Sequence, residues 1–353
     1  MRRVIFAIPG DLRTLTGGYG YDRKIIAHLP QMRVAVEHVE LAASYPFPSG
    51  ADLADSVAAI NAGRNGDVVM IDGLAFGAMP ADVVRAIGSP LVALIHHPVG
   101  LEAGLGADDR ARLIATERAA LALADHVVVN SSATRETLVG NFGVEPSRIS
   151  VAEPGTDRAE RALGSADGSV QLLAVGAIVP RKGYDVLVDA LAQVADLDWR
   201  LRIIGSFARD RTASDDLRAQ IDRLGLQDRI ELAGERAAAA LEPLFQATDI
   251  FVMASHYEGY GMALAEALAR GLPIVTTTGG AAADTVPDAA ALKVPPGNPD
   301  AFAAALRKAI PDRVLRRQLS DESWRAAQSL PTWENAARVI ADAIERAASK
   351  GRT

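Results

Sequence analysis

The chain has 353 residues, 49% hydrophobic and 23% charged, with a net charge of -7 and a pI near 5.5. That size accommodates two domains with cores of their own, and the acidic balance argues against nucleic acid as a partner. The absence of cysteine excludes disulfides, thiolate metal sites and a cysteine nucleophile.

Residues 4–8 read as a buried first strand. With Arg2 and Arg3 before them they are too short for a signal peptide, and they lead into a glycine turn instead of a cleavage site. No stretch approaches the roughly 20 apolar residues of a membrane span, so a cytoplasmic protein is expected, with peripheral attachment to the inner membrane face left open. The cluster Thr16-Gly17-Gly18-Tyr19-Gly20-Tyr21-Asp22-Arg23 follows, between strand and helix. The Gly17 and Gly18 amides are candidates to meet a phosphate or sugar, although such a loop serves equally as a packing turn. Its spacing is not G-x-G-x-x-G, which counts against a dehydrogenase.

Residues 67–71, 91–95, 126–130 and 149–152 read as further apolar strands, with helices at 21–29, 81–87 and 109–123. Continuous apolar strands alternating with helices imply a parallel sheet covered on both faces. His96 and His97 end one strand and Asn130 the next, each at the end where doubly wound folds gather ligands. After a polar stretch at 155–169 the pattern restarts, with strands at 170–175, 200–204, 230–233, 249–254 and 273–277 and a weaker one at 290–293. The expected architecture is therefore α/β, two doubly wound Rossmann-like domains facing a cleft: residues 1–160, 161–330 and a last helix, 331–353, crossing back to the first domain. Arg313 and its neighbours to Arg317 read as a solvated helix face.

The segment from Ser255 to Pro273 is the most informative. Glu258, Gly259, Tyr260 and Gly261 make a glycine-broken turn that opens into a helix at Met262 and Ala263, whose unpaired amides suit an anion. Glu258 and Glu266 bracket that turn, and a carboxylate takes both hydroxyls of a vicinal diol. A plain strand-turn-helix unit with two solvated glutamates fits the same spacing.

The ordered set formed by the first glycine cluster, Val175-Gly176-Ala177-Ile178-Val179-Pro180-Arg181-Lys182-Gly183, Gly205, Gly234, the Glu258 to Glu266 segment, Gly271-Leu272-Pro273 and Thr278-Gly279-Gly280 resembles the retaining glycosyltransferases of the GT-B fold, in particular family 4. The resemblance covers nearly the whole chain. It implies transfer of a hexose from a nucleotide diphosphate sugar, a co-substrate rather than a cofactor, to a hydroxyl of a glycan, lipid or small-molecule acceptor. It also implies retained configuration and no metal. Lys182 would meet the diphosphate, Glu266 the ribose, Glu258 the sugar and His96 the donor from the first domain. His97, Glu102 and Asn130 become acceptor-side candidates. Gly205 and Gly234 would line the base pocket. Family members commonly carry an arginine after the glycine of the 170–175 strand; Ala177 stands there, so one phosphate contact is missing unless Arg181 supplies it. A nucleotide-sugar epimerase and a non-catalytic sugar-nucleotide-binding protein remain alternatives.

Overall fold

The computed structural model describes residues 2–63, 67–166 and 168–350, so the end of the expected last segment, 351–353, lies outside them. The chain forms two compact units, residues 1–155 with 331–353 and residues 156–330.

The first unit contains β1 (Arg2–Pro9), α1 (Gly17–His28), β2 (Val34–Leu41), α2 (Gly50–Asn61), β3 (Val68–Asp72), α3 (Gly73–Phe76), α4 (Ala81–Arg85), β4 (Leu91–Ile95), α5 (Ala107–Leu123), β5 (His126–Val129), α6 (Ser132–Phe142) and β6 (Ile149–Val151). Its six strands lie in the order β2-β1-β3-β4-β5-β6, all parallel. β3, β4 and β5 are buried along their whole length, as their apolar runs require. β2 was not anticipated. Among the described strands it pairs only with β1, and only its end residues Val34 and Leu41 are buried, so the run Val-Ala-Val-Glu-His-Val-Glu-Leu lacks the apolar continuity that marked the other strands.

The second unit contains β7 (Val170–Val175), α7 (Tyr184–Ala192), β8 (Trp199–Ile204), α8 (Arg211–Arg223), β9 (Ile230–Gly234), α9 (Ala238–Gln246), β10 (Ile250–Met253), α10 (Met262–Ala269), β11 (Ile274–Thr277), α11 (Ala282–Thr285), β12 (Ala291–Val294), α12 (Pro299–Ala309) and α13 (Arg313–Ala327). Its strands are parallel in the order β12-β11-β10-β7-β8-β9. One apolar core, with Trp199, Leu187 and Phe302, lies on one face of this sheet, and another, with Phe245, Phe251 and Leu264, includes the buried side of α10.

The last helix, α14 (Trp333–Lys350), follows Thr332, whose hydroxyl accepts from the Asn335 amide at 3.3 Å. It packs on α1 and β5 of the first unit. Trp333 meets Tyr21 edge to face at 5.7 Å between ring centroids. A Cβ at Gly155 would lie 2.2 Å from the Trp333 nitrogen, so only glycine lets the chain pass the helix there.

Both sheets reverse their strand order at one place, between β1 and β3 in the first and between β10 and β7 in the second. At such a switch point the connections leave in opposite directions and open a crevice at the strands' carboxyl ends.

Candidate active site

At the second unit's switch point the chain leaves β7 through Gly176 and reaches a 3-10 turn, Pro180–Lys182. The amide of His256, beyond β10, donates to the Arg181 carbonyl at 2.8 Å and pins that turn beside the neighbouring strand. Glu258 is held by its own backbone: its amide donates to Gly279 at 3.1 Å, and its carbonyl accepts from Ala281 at 2.8 Å. Two connections are thereby tied together, and Lys182 Nζ donates to Glu258 Oε1 at 2.7 Å. Arg181 Nη1 donates to the Tyr257 carbonyl at 2.9 Å and lies 3.8 Å from Glu258 Oε2.

Glu258 is 5% exposed. Burial alone would raise its carboxyl pKa; the charges of Lys182 and Arg181 outweigh burial and hold it below the usual range. Glu258 is thus an anion at neutral pH and accepts hydrogen bonds. Lys182 uses one of its three donors on Glu258, which leaves two directions for phosphate oxygens.

Gly261 precedes α10 with φ of 93°, a conformation that strains any residue bearing a Cβ. The Leu264 and Ala265 amides turn back to the Gly261 carbonyl at 2.8 and 3.1 Å. No backbone carbonyl among the described residues accepts from Met262 or Ala263. Two amides at the positive end of a helix therefore lie after the turn that carries Glu258. Gly259 and the buried Tyr260 complete that turn, and Glu266 is half-buried on α10. Gly176, Gly205 and Gly234 stand side by side at the carboxyl ends of β7, β8 and β9. The Gly176 amide donates to Ile204 at 2.8 Å and the Gly205 amide to Gly234 at 3.1 Å. A Cβ at Gly205 would lie 1.8 Å from the Gly176 carbonyl oxygen, so this floor admits no side chain there.

In the first unit, Gly17 and Gly18 are not in a loop. They are the first two residues of α1, because Thr16 caps the helix by accepting from the Tyr19 amide at 3.2 Å. The correction leaves their amides at a helix N-terminus, beside His96: a Cβ at Gly18 would lie 3.4 Å from His96 Cδ2. His96 follows β4, with its Nε2 3.1 Å from Asp22 Oδ1 and 3.5 Å from Asp72 Oδ2. Asp22 comes from α1 and Asp72 from the end of β3, so this triad straddles the first sheet's switch point.

Asp22 is fully buried, and its Oδ2 has no hydrogen-bond partner. Burial, and then the Asp22 charge, push the Asp72 carboxyl up to about 7, with His96 opposing. Burial would lower the His96 pKa; its net shift is upward because Asp22 and Asp72 favour the imidazolium. The three residues also offer one ligand atom each within 4.8 Å of one another, a set that could hold a metal ion.

His97 is half-buried after His96, Glu102 follows a short 3-10 turn, and Asn130 is buried at the end of β5, where its Oδ1 accepts from Thr134 Oγ1 at 3.4 Å. Sequence reasoning missed Asp22 and Asp72 as partners of His96. Their signal was an aspartate inside the glycine cluster and another ending an apolar strand.

A glycosyltransferase of the GT-B architecture is the class that this fold and these paired switch points define. Residues 20–160 match the model of Glycosyltransferase Family 4, and residues 156–324 match that of Glycosyl transferases group 1. Between them these matches take in most of both units, and the chain belongs to the family 4 type of glycosyltransferase. A D-inositol 3-phosphate glycosyltransferase of Kineococcus radiotolerans is 32% identical over an alignment of 266 residues that covers 67% of this chain and 61% of that protein. A mannosylfructose-phosphate synthase of Agrobacterium fabrum is 27% identical over an alignment of 240 residues that covers 63% of this chain and 53% of that protein. The chain thus matches only 53 to 61% of the length of these two relatives. Among solved structures, the sucrose-phosphate synthase of Thermosynechococcus elongatus superposes with a TM-score of 0.82 at 21% identity, covering 97% of this chain and 98% of that one. Anabaena HepE in complex with UDP and glucose superposes with a TM-score of 0.78 at 20% identity, covering 98% and 100%. These likenesses establish the shared fold.

Proposed function

We propose that the chain transfers a hexose from a nucleotide diphosphate sugar to a hydroxyl, with retained anomeric configuration and without a metal. The observation that carries this reading is the Lys182–Glu258 pair at the second sheet's switch point, with the open amides of Met262 and Ala263 just beyond it. Lys182 and these amides meet the diphosphate and stabilise the charge that develops on it. Glu258 accepts from sugar hydroxyls and Glu266 from the ribose diol; the glycine floor at Gly176, Gly205 and Gly234 takes the base edge. The anomeric carbon loses its bond to the phosphate oxygen and gains one to the acceptor oxygen on the same face, while the acceptor proton passes to the departing phosphate. Catalysis is then mainly positioning and charge stabilisation.

His96, whose pKa is raised by Asp22 and Asp72 against burial, is the first unit's residue for the donor sugar, and His97, Glu102 and Asn130 are the acceptor-side specificity residues. Two relatives whose names carry an inositol phosphate or a sugar phosphate support a small polyhydroxylated acceptor. The complex of HepE with UDP and glucose makes the uridine diphosphate sugars the first donors to try.

The test is a thermal-shift screen of uridine, guanosine and adenosine diphosphate sugars, since a ligand of the native state raises its stability by mass action. One base class should stabilise the chain. Glu266→Ala should weaken that effect, and Lys182→Ala should reduce turnover more than donor affinity. Indifference of the wild-type chain to all three classes rules the reading out.

A further inference from the structure

The group at the first unit's switch point holds more than a donor-sugar contact needs. Asp22 from α1 and Asp72 from the end of β3 converge on one atom, the Nε2 of His96 after β4. Asp22 Oδ1 lies 3.1 Å from it and Asp72 Oδ2 lies 3.5 Å from it. A ring nitrogen carries at most one N–H. Only the contact with Asp22 is a hydrogen bond, so the proton that serves Asp22 does not serve Asp72.

The two aspartates are 0% and 3% exposed, and Asp22 Oδ2 has no hydrogen-bond partner among the described residues. No lysine or arginine among the described residues pairs with either carboxylate; both ion pairs run to His96. Buried charges are ordinarily paired or bound to a metal. With both carboxylates ionised and a neutral imidazole the group carries two negative charges. The positive end of α1, at Gly18 beside His96, offsets about half of one. A dication at the point of convergence removes the remainder.

The ligand atoms are also held in place. The Leu74 amide donates to Asp72 Oδ1 at 2.9 Å. The Tyr21 hydroxyl donates to the Ala152 carbonyl at 2.8 Å, and the Tyr21 ring meets the His96 ring edge to face at 5.0 Å between centroids. Outer contacts of this kind orient metal ligands. Around a tetrahedral zinc with bonds of about 2.0–2.2 Å, neighbouring ligand atoms stand roughly 3.3–3.6 Å apart. The 3.1 and 3.5 Å contacts come close to that spacing, and all three ligand atoms lie within 4.8 Å of one another. The His96 side chain is 19% exposed, which gives an ion a way in and leaves a fourth position to water.

We propose that Asp22, Asp72 and His96 form a site for a divalent transition metal ion, Zn2+ fitting best, and that the bound ion inhibits sugar transfer. One nitrogen and two carboxylate oxygens suit Zn2+, whereas Mg2+ takes an octahedron of oxygens and keeps several waters. The Nε2 lone pair goes to the ion, so that nitrogen no longer meets the donor sugar. The inhibition rests on the donor reading of His96; the metal site does not.

Calorimetry on the EDTA-stripped full chain should find one Zn2+ bound per chain, and Co2+ in its place should show the visible absorption of a tetrahedral ion. Asp22→Asn and Asp72→Asn, both nearly isosteric, should each weaken Zn2+ binding tenfold or more. His38→Gln, which removes an exposed histidine elsewhere, should change nothing. Anomalous diffraction from a zinc-soaked crystal, which needs no variant, should place the ion about 2.0–2.2 Å from His96 Nε2. Transfer by the wild type should run at full rate in EDTA and fall tenfold or more at saturating Zn2+, and Asp22→Asn should lose that sensitivity. The metal site is overturned if Zn2+ does not bind, if both aspartate variants bind it as the wild type does, or if the anomalous peak lies away from His96. The inhibitory role is overturned if transfer stops in EDTA or is indifferent to saturating Zn2+. Zinc bound at His96 in a chain that transfers nothing would overturn the donor reading and leave the metal site standing.

Discussion

Removing Lys182 tests whether the Lys182–Glu258 pair is held as the geometry says. In Lys182→Ala the Glu258 carboxylate stays 5% exposed, with Arg181 at 3.8 Å as its remaining cation. Breaking one side of a buried pair costs about 3–5 kcal/mol when the other charge must stay. Glu258 can escape by taking a proton. From its reference value of 4.5 this costs about 3.4 kcal/mol at pH 7 and about 0.7 kcal/mol at pH 5, at 1.36 kcal/mol per pH unit. The sign follows from linkage. In the wild type the folded pKa is lowered, so the pair stabilises above the unfolded value and the benefit is lost as pH falls through the folded one. In the variant the folded pKa rises, so stability falls as pH rises. Lys182→Ala should therefore lose about 3 kcal/mol at pH 7, the cheaper of the two routes, and about 1 kcal/mol or less at pH 5. Lys182→Ala/Glu258→Gln should recover most of the pH 7 loss, because the buried charge is gone. Guanidinium unfolding of all three chains at both pH values measures this. Equal losses at pH 5 and pH 7, or a double variant no better than the single, would refute the pairing argument.

Other predictions concern the first unit. Glu117 is fully buried, and burial pushes its carboxyl up to about 8, against the opposing amides of Gly100 and Val99. Its folded value exceeds its unfolded one, so the wild type should lose stability as pH climbs from about 5 to 8. Glu117→Gln should flatten that slope and be the more stable chain at pH 8.5 by about 2–4 kcal/mol, under a ceiling of about 4.8 kcal/mol; parallel thermal-melt profiles would contradict it. Asp22→Asn removes a charge that favours the His96 imidazolium and holds the Asp72 carboxyl up. Both titrations should move down, as followed by NMR of the His96 ring and the Asp72 carboxyl, and the pH profile of transfer should move the same way. Unmoved titrations would remove Asp22 from the site. Gly205→Ala should lose donor binding or fold poorly, since its Cβ meets the Gly176 carbonyl oxygen at 1.8 Å; normal donor affinity in a soluble Gly205→Ala chain would show that the glycine floor yields.

The parts of the fold that were legible in the sequence are those where one physical requirement dominates. A strand covered on both faces must be apolar throughout, so β3, β4 and β5 announced themselves, whereas β2, an edge strand whose run is broken by Glu37, His38 and Glu40, did not. Gly261 was readable as a turn into α10 because its neighbours switch from turn residues to helix formers. Gly17 and Gly18 read as a loop because glycine is a poor helix former, and only the Thr16 cap placed them in a helix. Lys182 and Glu258 could be singled out but not paired: the contact spans 76 residues and depends on which strands lie side by side. Asp22, Asp72 and His96 come from three separate elements, so no local spacing could join them.

Whether transfer from the nucleotide sugar retains configuration is read from the new glycosidic bond itself. Full chain incubated with an α-linked uridine, guanosine or adenosine diphosphate hexose and a panel of small polyols should give an α-glycoside, read from the anomeric proton coupling in the product NMR spectrum. Lys182→Ala should form it far more slowly. A β-glycoside would contradict the mechanism, and an isomerised nucleotide sugar with no transfer to any acceptor would put an epimerase in its place.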